Sequence, residues 1–180
     1  TTGQMCDSNA DCSSNDCQGG VCQPGGCVYD QGFAVHYKDG DGDATNQHMK
    51  PHLRIVNTSG STVDLSDFVI RYWYTADSTS GENYVIDYSS RSGVSVTFHD
   101  QVPAATGADR YLEVHFSSAS GTVSSGSNSG EHQVRTQYDD WSAYEETADY
   151  SYDASKTSWA EWDKVALYRS GMLVWGCEPE

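Results

Sequence analysis

From Tyr29 to its C-terminal end the chain is a succession of short β-branched and aromatic runs, cut apart by Gly, Ser, Asn and Asp. HLRIVN, DFVIRYWYT, NYVIDYS, VSVTFHD, RYLEVHF and HQVRTQY are such runs, and several alternate with the period of two that marks a half-buried strand. The segments NTSGST, DSTSGEN and SASGTVSSGSNSGE between them supply turn chemistry. KVALYRSGMLVWG reads as a hairpin turning at Ser170 and Gly171. There is no convincing helical stripe and no internal repeat. Many short antiparallel strands with polar loops predict an all-β fold, a β-sandwich. A chain of 180 residues has room for one such domain with a real core and a small appendage.

The cysteines mark the appendage. Cys6, Cys12, Cys17, Cys22 and Cys27 crowd the first 27 residues, and Cys177 stands alone near the end. An even count at near-regular spacing predicts a disulfide framework and an oxidising, extracytoplasmic location. Zinc is the rival, but C-x-x-C spacing is missing and no histidine precedes His36. Residues 1–27 hold almost no large apolar side chains beyond Met5 and Val21, so cross-links must hold their shape. The expected division is a stapled segment over 1–27 and a sandwich over 28–180.

Formal net charge is −16, which argues against nucleic acid and anionic membranes as partners. No run of 18 apolar residues offers a membrane span. TTGQMC lacks the charged start and apolar stretch of a signal peptide, so the chain reads as a mature protein or a module of a longer one.

Acidic surfaces bind cations, and two places invite that reading. DGDGDATNQHMK, residues 39–50, opens like a helix-loop-helix calcium loop, but Ala44 stands where glycine is required and Lys50 where a bidentate glutamate is required. It reads as an exposed acidic turn. YTAD (74–77) and EETAD (145–149) each leave a strand-like segment with a carboxylate beside candidate carbonyls. Calcium takes six to eight hard oxygens, part of them main-chain, so two such loops could build a cage. On chemistry alone, two ordinary acidic turns are the preferred reading.

The runs KPHLRIVNTSGSTVDLSDFVIRYWYTAD, ADRYLEVHF, DDWSAYEETADYSY and WAEWDKVALYRSGMLVWGCEP, in this order and spacing, resemble the family 3 carbohydrate-binding modules, the cellulose-binding domains of cellulases and scaffoldins. The likeness runs from about Phe33 to Pro179 and leaves out the cysteine-rich start. It implies a jelly-roll sandwich of about nine strands, a non-catalytic role, cellulose as the partner, and a place in a larger secreted, multidomain protein. It also implies a structural calcium held by Thr75, Asp77, the carbonyls of Glu145 and Ala148, and Asp149, which reverses the preference above. On residues alone Trp141 reads equally well as a core residue; the resemblance places it on a flat exposed strip with the Arg135–Asp87 pair and Tyr88. Asn46 and Gln133 would anchor sugar hydroxyls beside the strip. SSRSGVSV (89–96) is shorter than the loop that carries a further stacking ring in members gripping crystalline cellulose, so the strip is expected to be short. Arg71, Trp73, Tyr111, Glu113 and Tyr150 match a shallow groove on the opposite face, with plain strand packing as the alternative. The closeness of the family's first and last strands implies a Cys27–Cys177 bridge. Cys6–Cys17 and Cys12–Cys22 are then the expected pairs, because interleaved links fix a short segment best.

Two other functions remain open on sequence. A small glycoside hydrolase would need a deep cleft that raises one acid's pKa, and a sandwich of this size offers little chain for one. An extracellular adhesion or protein-interaction domain could use the same scaffold. Retention on washed polysaccharides, scored beside reducing-sugar release, separates the three.

Overall fold

The computed structural model describes Met5, the backbone of residues 17–18 and 21–22, residues 26–29 and residues 31–180. Two six-stranded antiparallel sheets pack face to face. Twelve strands build them: β1 Cys27–Val28, β2 Phe33–Asp39, β3 Pro51–Asn57, β4 Phe68–Tyr74, β5 Glu82–Ser89, β6 Val94–Ala105, β7 Ala108–Phe116, β8 Ser127–Asn128, β9 His132–Tyr138, β10 Ala160–Glu161, β11 Val165–Arg169 and β12 Met172–Cys177. Nine of them are five residues or longer, matching the expected count. The other three, β1, β8 and β10, have two residues each and carry no readable period. The front sheet runs β10–β2–β3–β9–β5, with β8 also on β3; the back sheet runs β6–β7–β4–β11–β12–β1.

Alternation dictates this layering. In β3 and β9 every second residue is buried, so Leu53, Ile55, Val134 and Tyr138 enter the core while Arg54, Gln133 and Arg135 face out. From the back sheet Ile70, Tyr72, Leu112, Val114 and Leu167 fill the same core. Burying such side chains stabilises by about 1.5–3 kcal/mol each, an upper-end figure before chain entropy is subtracted. The β11–β12 hairpin turns at Ser170 (φ 50°) and Gly171 (φ 84°), two left-handed residues that suit a tight hairpin, as expected.

Cys27 and Cys177 are disulfide-bonded across the antiparallel β1–β12 pair, with Cα atoms 4.1 Å apart. The bridge closes a 150-residue separation, worth about 5 kcal/mol in the chain-entropy model. Val28 joins a second apolar cluster on the outer surface of the back sheet, and Tyr29 packs edge-on against Trp175 at 5.6 Å. The expected clamp is therefore present. The backbone of Cys17–Gln18 pairs with Val21–Cys22, Cys17 opposite Cys22; the expected Cys6–Cys17 and Cys12–Cys22 bridges lie outside the described residues. No described helix is long and apolar enough to cross a membrane.

Candidate polysaccharide-binding face and cation site

The outer surface of the front sheet carries the strip residues. Arg135 projects outward from β9, and its guanidinium donates to Asp87 in bidentate fashion, Nε to Oδ2 at 2.8 Å and Nη2 to Oδ1 at 2.9 Å. Arg135 lies opposite Val85, so Asp87, two residues further along β5, shares its face. A bulge then adds Tyr88: Gln133 faces Tyr88 while Val134 faces Ile86, so Asp87 and Tyr88 sit side by side against Gln133. The hydrogen bonds from Arg135 hold the Asp87 carboxyl below its usual range, so the pair stays ionised and planar. Tyr88, directly opposite Gln133, is 51 % exposed.

Trp141 lies beyond the end of β9 and is 58 % exposed, at φ 61°. A bulky residue in the left-handed region costs on the order of 1–2 kcal/mol, so something must hold it there. The two acids before it do. Asp140 accepts from Ser142 N–H at 3.0 Å and from Ser78 Oγ at 3.1 Å. Asp139 accepts from the Asn83 side chain, and its own N–H donates to the Gly81 carbonyl at 2.8 Å. The acids flanking Trp141 are thus spent on fixing a turn that presents an indole to solvent.

His48 is a strip neighbour that sequence reading missed. It meets Trp141 edge-on at 6.1 Å, brought there by an isolated bridge between Met49 and Thr136. Asn46 shapes this loop: its side-chain amide donates to Asp41 and to the Asp43 carbonyl, while its Oδ1 accepts from His48 N–H at 2.7 Å. Gln133 sits on the outward face, hydrogen-bonded to Glu131. The structure therefore brings Asp87, Tyr88, Arg135 and Gln133 together, with Trp141 and His48 at one end, and ties Asn46 into the adjoining loop.

The second cluster joins the two loops singled out for calcium. Thr75 N–H donates to Asp149 Oδ1 at 2.8 Å, and Glu145 N–H donates to Asp77 Oδ2 at 2.8 Å. The Glu145 carboxylate is engaged by Thr45 and Thr147 hydroxyls, which leaves its main chain as the part directed at the cluster. Ala148 closes a single 3-10 turn, and its carbonyl lies 2.4 Å from where a Cβ on Gly107 would stand. Gly107, at φ 70°, is required there. Asp149 is buried and its Oδ2 has no hydrogen-bond partner among the described residues. Burial, reinforced by Asp77 and Asp109, pushes its carboxyl up to about 7. Asp109, which accepts from Ala76 N–H at 2.7 Å, was not foreseen. Among the described residues no three His, Cys, Asp or Glu side chains already form a metal cluster, so any cation here would lean on carbonyls and the Thr75 hydroxyl. The 39–50 loop is an acidic turn, with Asp39 accepting from Gly42 N–H and Asp41 paired to Lys50.

On the back sheet the groove residues do assemble, but largely as packing. Trp73 is 1 % exposed, with Tyr111 and Tyr150 rings 6.3 and 6.0 Å away. Arg71 stacks on Tyr111 and Tyr168 at 4.3 and 4.4 Å and donates to Glu113. Tyr168 was not foreseen as a member.

Comparison with known proteins places the fold in a family. The cellulose binding domain family model matches residues 34–176. Endoglucanase A of Paenibacillus lautus is 42 % identical over 146 residues, 81 % of this chain, which spans 21 % of that protein's length. An uncharacterised protein encoded in the celA 5' region of the same organism is 39 % identical and is covered over its whole length. Among solved structures, the CBM3b of the major scaffoldin subunit ScaA from Acetivibrio cellulolyticus superposes with a TM-score of 0.79 at 34 % identity, covering 83 % of this chain and 98 % of that one. A family IIIa cellulose-binding domain from Clostridium cellulolyticum gives 0.75 at 30 % identity, covering 81 % and 96 %. The chain belongs to the cellulose-binding domain family, the family 3 carbohydrate-binding modules, and is a non-catalytic carbohydrate-binding domain.

Proposed function

We propose that the domain binds cellulose or a closely related insoluble β-glucan through the strip formed by Trp141, the Arg135–Asp87 pair and Tyr88, and that a structural calcium braces the loops behind it. The observation that carries this is an indole more than half exposed, on a left-handed backbone that a dedicated turn maintains. Pyranose rings present apolar C–H faces, and a flat aromatic covers them and excludes water. The planar Arg–Asp pair extends that flatness without a ring. Gln133 supplies a polar anchor, and Asn46 serves by shaping the loop that places His48.

Calcium would be held by Thr75, Asp77, the Glu145 and Ala148 carbonyls and Asp149. Its charge would satisfy the orphaned Asp149 oxygen and offset Asp77 and Asp109. An all-oxygen donor set, two carboxylates completed by carbonyls and a hydroxyl, suits a hard cation. The names of the relatives, an endoglucanase and cellulosomal scaffolding proteins, support a place outside the cell within a larger protein, as does the disulfide clamp.

The test is a pull-down against crystalline cellulose, amorphous cellulose, chitin and xylan. Retention on cellulose with no reducing-sugar release is expected. Trp141→Ala should weaken it by on the order of 1–3 kcal/mol, as for a buried interface aromatic. A folded Trp141 variant that binds like the parent removes the strip from the account.

A further inference from the structure

We propose that the binding face is wider than the strip: Trp159, at the far edge of the same sheet, is a second stacking platform that engages a neighbouring chain of an ordered glucan surface. The inference rests on reading the strip as glucan-binding. Strand register carries it. Tyr88 lies opposite Gln133, Gln133 opposite His52, and His52 opposite Lys38. Ala160 faces Tyr37, which sets Trp159 beside Lys38. Directly paired residues share a face. A row from Tyr88 through Gln133, His52 and Lys38 to Trp159 therefore crosses the outward surface of the front sheet.

The ring is held in place from the sheet. The Arg54 guanidinium carbon is 4.6 Å, and the Lys38 ammonium 5.5 Å, from its centroid. Arg54 is itself fixed by hydrogen bonds from Nε and Nη2 to His36 Nδ1 at 3.3 and 3.0 Å. Between the two arms, Glu131 gathers Lys38 at 3.8 Å and His52 at 3.2 Å, a polar floor suited to sugar hydroxyls.

Direction decides what the second arm touches. The first strip follows β9 and β5, from Trp141 past Arg135 to Tyr88. Trp159 is displaced sideways by four inter-strand steps from β5, about 19 Å at the usual spacing. One glucan chain laid along the first strip cannot also pass over Trp159; a parallel neighbour in a packed array can. Residues 90–93 between β5 and β6 are too few to add a ring at the strip's own end. The platform lacking along the strip is supplied across the sheet.

Depletion isotherms on crystalline cellulose, beside calorimetry with soluble cellohexaose, test this using the parent, Trp159→Ala, Trp159→Phe and Trp141→Ala. Trp159→Ala should lose affinity for crystalline cellulose by on the order of five- to tenfold, with cellohexaose affinity unchanged. Trp159→Phe, whose melting curve should match the parent's, should restore most of the loss. Trp141→Ala should lose affinity for both ligands. If Trp159→Ala keeps the parent's isotherm while Trp141→Ala loses it, the second arm is refuted and the strip stands. Equal loss of cellohexaose in Trp159→Ala would also refute it, since one chain would then touch both rings. A folded Trp141→Ala unchanged on both ligands would remove the strip, and the second arm with it.

Discussion

The two outer faces of the sandwich are built from the same kit and put to opposite use. On the front, Arg135 pairs with Asp87 near Trp141; on the back, Arg71 pairs with Glu113 beside Trp73. Trp141 is 58 % exposed and Trp73 is 1 % exposed. The back-sheet guanidinium is enclosed by tyrosine rings, and Tyr150 reaches the same cluster from a loop. The front-sheet pair lies open. Residue type therefore does not separate a ligand platform from a packed surface; the elements that fold over it do.

The largest expected effect breaks the two faces apart directly. Trp73→Ala should destabilise the fold by about 3–5 kcal/mol, the range for losing a fully buried large aromatic. Chemical denaturation reads that loss, and polysaccharide affinity of the remaining folded protein should hold. Trp141→Ala should leave stability nearly unchanged, since the ring makes little buried contact. A Trp73 variant as stable as the parent would mean that the back face is a surface and not a second core.

Removing the proposed calcium should act on both faces, because its loops link the end of β4 to the segment just after Trp141. A cation bound only to the folded state at 100 to 1,000 times its Kd adds about 3–4 kcal/mol. For a domain of this size that is roughly 6–16 °C of melting temperature. Asp149→Ala should reproduce the chelated value and show no further response to chelator. Superimposable melting curves with and without chelator would exclude the site.

The strands were legible because alternation is a local signal: HQVRTQY is β9 residue for residue. The family likeness made the clamp legible as well, and it named the residues of the proposed strip. What stayed hidden depends on pairing between distant segments. The bulge that brings Tyr88 onto the same face as Asp87 exists only in the β9–β5 register. His48 reaches Trp141 through a single bridge from an irregular loop, and Trp159 faces the strip side only through the β10–β2 pairing. From the residues alone, without the family likeness, Trp73 and Trp141 could not be told apart as buried and exposed, because the rings that bury Trp73 come from β7 and from the Tyr150 loop.

Within β9 the comparison can be sharpened by pH. His132 is fully buried, bonded to Ser89 and Ser129 hydroxyls, and its pKa is pushed down to about 4, chiefly by burial and then by Arg91. The unfolded chain takes up this proton near pH 6.5 and the folded one near 4, so stability is full above 6.5 and falls as pH drops toward 4. The loss approaches about 3 kcal/mol. The Arg135–Asp87 pair, with Asp87 held below its usual range, outlasts that window. Affinity per folded molecule should thus stay level between pH 7 and 5, while the parent's denaturation midpoint falls relative to that of His132→Asn; the raised Asp149 carboxyl acts in the opposite direction but is common to both proteins. Parallel profiles for parent and variant would place the pH dependence elsewhere.

The smallest effect separates planar recognition from simple charge. Lysine keeps the positive charge of arginine but loses the planar, two-pronged donor. On the front face, Arg135→Lys breaks a bidentate, partly exposed pair, and such pairs add only about 0.2–1 kcal/mol to stability. The melting temperature should scarcely move, while cellulose affinity falls by about 1 kcal/mol as the flat surface becomes uneven. On the back face, Arg71→Lys removes a guanidinium stacked against Tyr111 and Tyr168, contacts worth about 0.5–2 kcal/mol. There the melting temperature should fall and affinity should hold. The crossed outcome, affinity lost in Arg71→Lys with the fold intact, would make the back face a second sugar platform and end the contrast between the two.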